Sequence, residues 1–216
     1  MIRAVVFDVG ETLVDETEIW GSWADWLGVP RHTFSAVVGA MAVRGKGHWE
    51  AFRVFKPDFD VEVEDGRRAL AGRGTRFGPE DLYPDVRPCV EALREMGVWV
   101  GIAGNQPVRA ERDLLDCGLP VQMIATSAGW GVKKPEPAFF ERIVAECPYQ
   151  AHEIVYVGDR VVNDVVPARA AGLATALIRR GVWGFVPDAF DPERLADVRL
   201  RGLDELPRWV AERRRA

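Results

Sequence analysis

The chain is poor in the features that mark several whole classes of protein. It has three cysteines among 216 residues, an odd number too widely spaced for a Cys-x-x-Cys pair, so a disulfide framework is not expected. Cys89, Cys117 and Cys147 are expected to be reduced, mostly buried thiols in a cytoplasmic protein. His32 and His152 fall in no motif. No apolar run approaches the roughly 18 residues of a membrane span. The apolar opening is too short for a secretory leader and runs straight into Asp8. A basic excess is missing as well: the formal net charge is −5, which argues against a nucleic-acid surface. Repeats and low-complexity tracts are absent. The Arg213–Arg215 run reads as a solvated helix end beside the negative pole of the dipole. What is left is a chain 48% hydrophobic and 28% charged, ordinary for a soluble globular protein. It is long enough for one α/β domain with a smaller appendage.

What is present begins at once. Ala4-Val5-Val6-Phe7 runs into Asp8, then a glycine turn, a threonine and a leucine. A short apolar run of this kind reads as a strand buried on both faces, as in a parallel sheet covered by helices. Residues 15 to 84 then change character. Trp20, Trp23 and Leu27 lie at helical spacing, with Trp26 on the same broad face as part of that unit's core. Gly28-Val29-Pro30 breaks this helix, Thr33 to Val43 reads as another, and Val63 to Ala71 as a third. From Tyr83-Pro84-Asp85 onward strands and helices alternate: a helix over 86–96, a strand over 98–103, a helix over 108–117 and a strand over 121–125. A helix opened by Pro135 and Pro137, a strand over 154–157, a helix over 165–171 and a strand over 174–178 follow. The expected fold is α/β, a doubly wound parallel sheet formed by residues 1–14 and 85–216, with a small all-helical domain, 15–84, inserted after the first strand.

On that scaffold the polar residues collect at one edge. Asp8 follows strand one, Gly104-Asn105 strand two, Lys133-Lys134 strand three, and Gly158-Asp159 strand four, with Asn163-Asp164 a few residues on. All lie beyond the C-terminal ends of strands, the side on which open α/β sheets bind ligands. Three aspartates and a lysine there suit a hard divalent cation and an anionic ligand. Mg²⁺ prefers oxygen donors and often bridges carboxylates to a phosphate, while a lysine can meet the charge of a transferring phosphoryl group. Asp8 can serve as nucleophile, metal ligand or both.

Four stretches carry a resemblance: Phe7-Asp8-Val9-Gly10-Glu11-Thr12-Leu13, Gly101-Ile102-Ala103-Gly104-Asn105, Gly131-Val132-Lys133-Lys134-Pro135-Glu136-Pro137, and Val157-Gly158-Asp159 with Asn163-Asp164. In order and spacing they resemble the four motifs of the haloacid dehalogenase superfamily, in the branch with a helical cap after the first strand. The resemblance implies Asp8 as nucleophile and metal ligand, Asp159 as second carboxylate ligand, and the Gly10 carbonyl as a third contact to Mg²⁺. It implies Lys134 as the group that holds the phosphoryl oxygens and orients Asp8, with Gly104 and Asn105 beside the phosphoryl group. Asp164 is either a further metal ligand or the residue that positions Lys134 or a metal-bound water. Thr12, on the substrate side, is a supporting residue that bonds to its loop or orients a neighbour. The implied activity is Mg²⁺-dependent hydrolysis of a small phosphorylated metabolite, in the cytoplasm, by a monomer or homodimer.

Two positions depart from the pattern. The family's phosphatases carry an acid–base aspartate two residues after the nucleophile, where this chain has Gly10. Losing a general acid typically costs about 10²- to 10⁴-fold. Glu11 either reaches in as a substitute or points elsewhere. The second departure is Gly104, which lacks the hydroxyl found at the end of the family's second motif. These gaps leave two alternatives: an attenuated relative that binds Mg²⁺ and a phosphate ligand, and a phosphonate-cleaving member using a cap lysine, Lys46 or Lys56. Keeping Asp159 and Asp164 argues against the metal-free dehalogenases. Arg44-Gly45-Lys46-Gly47-His48-Trp49 is either an exposed loop or, if it faces the site, a contact for substrate charge or a stacking ring.

Overall fold

The computed structural model describes residues 1–186 and 195–215, apart from the side chain of Arg215. Its sheet has six parallel strands: β1 (Ala4–Phe7), β2 (Trp99–Gly104), β3 (Met123–Thr126), β4 (Ile154–Gly158), β5 (Ala174–Ile178) and β6 (Val198–Leu200). They lie in the order β3-β2-β1-β4-β5-β6. β1 is central, with Phe7 opposite Ile102 on one side and Val157 on the other. The chain winds outward from β1 to β3 and returns to β4 on the far side of β1, so the order reverses between β1 and β4. Such switch points are where these sheets open a crevice.

The strands are apolar on both faces because both faces are covered. Val5 and Phe7 pack into one cluster with Val86, Val90 and Leu93 of α5 (Val86–Glu95). Leu114 of α6 (Ala110–Asp116) and Trp209 of the C-terminal helix (Leu206–Arg215) join the same cluster. Ala4 and Val6 face the other way, against Phe139, Phe140 and Ile143 of the helix Pro137–Glu146. Each fully buried Val or Phe in these layers stabilises the fold by about 1.5–3 kcal/mol. This burial holds the strand ends, and hence the site, in register.

Between β1 and α5 come four α-helices: α1 (Thr17–Leu27), α2 (Arg31–Val43), α3 (Trp49–Phe55) and α4 (Val61–Leu70). They surround an aromatic cluster of their own, in which Trp23 meets Phe52 edge-on at 5.4 Å and Phe59 at 5.8 Å. The Arg68 guanidinium stacks 3.9 Å from the Trp23 ring. α1 ends at Gly28, whose φ of 69° makes a left-handed cap that glycine adopts without strain. α4 is anchored by Glu64, which takes Lys56 Nζ at 2.6 Å and the Trp26 indole N–H at 2.9 Å. The helices expected over 33–43 and 63–71 start two residues earlier than read.

Among the described residues, α3, a short turn after β3 and the edge strand β6 were not foreseen. α3 follows the Gly-x-Gly loop and shares only Trp49 with it; the signal for it is Trp49, Phe52 and Phe55 at three-residue spacing. A single turn, α7 (Ser127–Trp130), follows β3, with the Thr126 hydroxyl accepting from the Gly129 N–H at 3.0 Å. β6 has three residues with Arg199 at its centre, too short and too polar to read as a strand. The helix expected over 165–171 is present as Val166–Ala170, and a π-helical turn, Val161–Val165, leads into it. That wide turn brings Asp164 inward, a placement often met near functional sites. The C-terminal helix runs to Arg215, with Arg213 exposed as expected and Arg214 only partly so; the side chain of Arg215 lies outside the described residues.

Candidate active site

Asp8 leaves β1 with its backbone N–H bonded to the Val157 carbonyl of β4 at 2.9 Å. This tie across the switch point sets the Asp8 carboxyl beside the loop that carries Asp159. Lys134 arrives from the third loop and is buried, with Nζ 2.7 Å from Asp8 Oδ1 and 2.7 Å from Asp164 Oδ1. The second oxygen of Asp164 accepts the Arg160 backbone N–H at 2.9 Å, so both its oxygens are engaged. The Asn105 side chain brackets the Lys134 backbone, donating to its carbonyl at 2.9 Å and accepting its N–H at 2.8 Å. Asn105 thus spends its amide on fixing the lysine. Thr12 is buried and its carbonyl accepts Arg180 Nη1 at 2.7 Å; its hydroxyl has no hydrogen-bond partner among the described residues.

The charges do not balance. Oxygens of Asp8, Asp159 and Asp164, all buried, lie within 4.8 Å of one another, and the side-chain cation that the described residues pair with them is Lys134. Burial raises the Asp159 carboxyl well above its ordinary range, and Asp164 and Asp8 push it further. Burial and Asp164 also raise Asp8, against the pull of Lys134. Burial works to lower the Lys134 pKa, but Asp164 and Asp8 outweigh it and hold the ammonium well above its usual value. Clustered buried carboxylates of this kind are stabilised by a cation that takes oxygen donors.

The loop after Asp8 is latched by Tyr83 and Arg180, which sequence reasoning did not assign to the site. Glu11 sits at a φ of 52°, the left-handed region that non-glycine residues seldom adopt. Its carboxyl accepts the Tyr83 hydroxyl at 2.6 Å, and Arg180 stacks 4.1 Å from the Tyr83 ring while pairing with Asp85. Glu11 is therefore turned onto Tyr83. Facing the sheet edge, a cavity of about 440 Å³ lies between the inserted helices and the core. Val9, Asn105 and Lys133 line it from the core; Glu16, Trp20 and His48 line it from the helices. The Glu16 carboxyl is pushed up to about 8, by burial first and then by the neighbouring Glu11 and Asp8 carboxyls. His48 packs 4.9 Å from Trp20 and 5.8 Å from Trp183; burial, with help from Arg160, lowers its pKa to about 3 and keeps it neutral. Of the Gly-rich loop, Arg44 and Lys46 are exposed and His48 faces inward.

The family model described as haloacid dehalogenase-like hydrolase matches residues 2–172. The chain belongs to that family of hydrolases. Among its relatives, the glyceraldehyde 3-phosphate phosphatase of Methanopyrus kandleri is 31% identical over an alignment covering 100% of this chain and 95% of that protein. The ribulose-1,5-bisphosphate 5-phosphatase of Halopiger xanaduensis is 32% identical over 60% of this chain and 57% of its own length. In three dimensions the chain superposes on YfnB of Bacillus subtilis, solved bound to magnesium, with a TM-score of 0.73 at 19% identity, covering 97% of this chain and 98% of that one. A HAD phosphatase from Thermococcus onnurineus gives 0.62 at 24% identity, over 97% and 98%.

As a haloacid dehalogenase-like hydrolase, the chain is unusual at Gly104, and the structure gives a reason. A Cβ there would lie 2.7 Å from Asp8 Oδ1 and 2.9 Å from Val9 Cγ2, so this backbone approaches the Asp8 carboxylate more closely than a side chain permits. Gly104→Ser is therefore expected to displace that carboxylate from Lys134. Turnover should fall by about 10²-fold, the usual scale for an ångström of misplacement. Steady-state kinetics with any hydrolysed substrate checks this, and a rise in kcat would show that the approach has no catalytic value.

Proposed function

We propose that the chain is a Mg²⁺-dependent phosphatase acting on a small phosphorylated metabolite through Asp8. The observation that carries this reading is the salt-bridged pair at the switch point. Lys134 sits 2.7 Å from Asp8 Oδ1 in a buried cluster with two further aspartates. The donor set fits a hard cation: oxygen atoms alone, in excess of positive charge. Asp8, Asp159 and the Gly10 carbonyl would hold Mg²⁺, with Asp164 close by. When bound, the ion would neutralise charge on the phosphoryl oxygens and on the aspartates. Asp164, with both oxygens engaged, holds Lys134 in place. The phosphatase names of relatives such as those from Methanopyrus kandleri and Aliivibrio fischeri support the same reaction.

In this reading Asp8 attacks phosphorus as the bond to the leaving oxygen breaks, and water then cleaves the aspartyl-phosphate. Lys134 keeps the carboxylate oriented and meets the phosphoryl oxygens. Residues 15–84 act as a cap over the site, where closure would exclude water and choose the substrate. Among the described residues no helix is long and apolar enough to cross a membrane, and three buried free thiols suit a cytoplasmic setting.

Phosphate release from a panel of small phosphomonoesters, glyceraldehyde 3-phosphate and phosphoglycolate among them, tests the proposal. Each is assayed with Mg²⁺ and with EDTA. Release that needs Mg²⁺ is expected, with a preference that identifies the substrate. Binding of phosphate ligands with no release from any ester would favour the attenuated-relative reading instead.

A further inference from the structure

We propose that Glu16 is the acid–base residue of the phosphoryl transfer, presenting from the start of α1 the carboxyl that Gly10 lacks. The inference rests on the phosphatase reading above. A Cβ built on Gly10 would lie 2.6 Å from Cδ of Glu16, so the Glu16 carboxyl fills the space that a side chain two residues past Asp8 would enter. Glycine at position 10 and glutamate at position 16 are thus complementary: either could supply a carboxyl to this volume, and here position 16 does.

The direction of attack says what that carboxyl meets. A phosphoryl group attacked by Asp8 expels its leaving oxygen roughly in line, on the side away from Asp8. The cavity that Val9 and Asn105 line, next in sequence to Asp8 and Gly104, offers that oxygen its way out, and Glu16 lines it as well. The other carboxyls on its wall are committed or remote from the sheet edge. Asp65 pairs with Arg109, Asp113 pairs with Arg76, and Glu62 is exposed on α4. Glu11 is held by Tyr83. Among the described residues Glu16 makes no ion pair. It is also free of the work its position usually implies: it stands just before α1, yet its side chain caps no N–H. Asp15 serves the helix start instead, accepting from the Thr17 N–H at 2.9 Å. Trp20, one turn along, shares the cavity wall with Glu16.

The chemistry balances. As Asp8 Oδ bonds to phosphorus and the leaving-group P–O bond breaks, the Glu16 O–H gives its proton to the departing oxygen, which leaves as an alcohol. The Glu16 carboxylate then takes a proton from the water whose oxygen bonds to phosphorus while the Asp8–phosphorus bond breaks. Inorganic phosphate leaves, and both carboxyls return to their starting forms.

The test compares p-nitrophenyl phosphate, whose leaving group needs no acid, with glycerol 3-phosphate, whose alkoxide does. In Glu16→Gln, alkyl-ester turnover is expected to fall about 10²- to 10⁴-fold. The first release of nitrophenolate should stay within about tenfold of the wild type and appear as a burst, because the water step has lost its base. Moving the carboxyl back, in Gly10→Asp/Glu16→Ala, should restore alkyl-ester turnover at least about tenfold over Glu16→Ala. This rescue also separates a catalytic loss from a folding defect. Asp8-dependent release that slows equally for both esters in Glu16→Gln, or a double variant no better than Glu16→Ala, would overturn the assignment while leaving the phosphatase intact. No Asp8-dependent release by the wild type from either ester would overturn the phosphatase reading itself, and the assignment with it.

Discussion

Asp8→Asn is expected to remove ester hydrolysis altogether, by about 10⁴-fold or more, as loss of a covalent nucleophile does in other enzymes. The amide is nearly isosteric but offers phosphorus no carboxylate oxygen. The fold should not suffer. Burial and Asp164 raise the Asp8 carboxyl above its ordinary range, so the folded protein holds that proton more tightly than the unfolded chain. Its favourable contribution is therefore complete below the unfolded pKa and is lost as pH rises through the folded-state value. At neutral pH without Mg²⁺ the variant removes one of three crowded charges, while Lys134 keeps Asp164 at 2.7 Å. Thermal melts in EDTA should place Asp8→Asn at or above the wild type. Mg²⁺ should raise the wild type more than the variant, since a ligand stabilises the state that binds it. A variant that still releases phosphate at the wild-type rate would remove Asp8 from the chemistry.

The site was legible in the sequence to the extent that topology controls it. Asp8, Lys134, Asp159 and Asp164 stand at different points of the chain, yet each follows a buried strand, and parallel strands ordered around β1 bring their C-terminal ends together. Asn105 was foreseen beside the phosphoryl group; the structure shows its amide bonded to the Lys134 backbone, a pairing across two loops that no local pattern encodes. Glu16 was passed over for a related reason. It belongs to the helix start by sequence and to the cavity by the path of the chain after Leu13. Tyr83 and Arg180, which latch the Asp8 loop, come from the far side of the inserted helices and from the end of β5. Short elements were the other loss. The three residues of β6 and the four of α7 are held by tertiary packing, and propensity summed over so few positions says little.

Lys134 is where stability and function are expected to fail together. Its ammonium is buried between Asp8 and Asp164, 2.7 Å from each. Burial alone would favour the neutral amine, yet the two carboxylates hold the pKa well above the usual lysine value. The sign is the reverse of that for Asp8. This contribution is fully present below the unfolded lysine pKa, hence at neutral pH, and is lost only as pH rises through the folded-state value. Lys134→Met keeps the length of the stem but leaves two buried carboxylates facing each other. Removing one partner of a buried ion pair costs about 3–5 kcal/mol. The urea midpoint should drop accordingly with the slope unchanged. Adding Asp164→Asn should recover part of the loss, because it removes one of the stranded charges. Activity should not recover with it, since a preorganised donor to the phosphoryl oxygens is worth about 10²- to 10³-fold. Lys134→Arg is expected to fail as well: a planar fork cannot place a single point charge between two carboxylates in the space of an ammonium. A Lys134→Met protein that melts with the wild type would mean that the aspartates are neutral in the metal-free fold, and that the lysine serves the bound substrate alone.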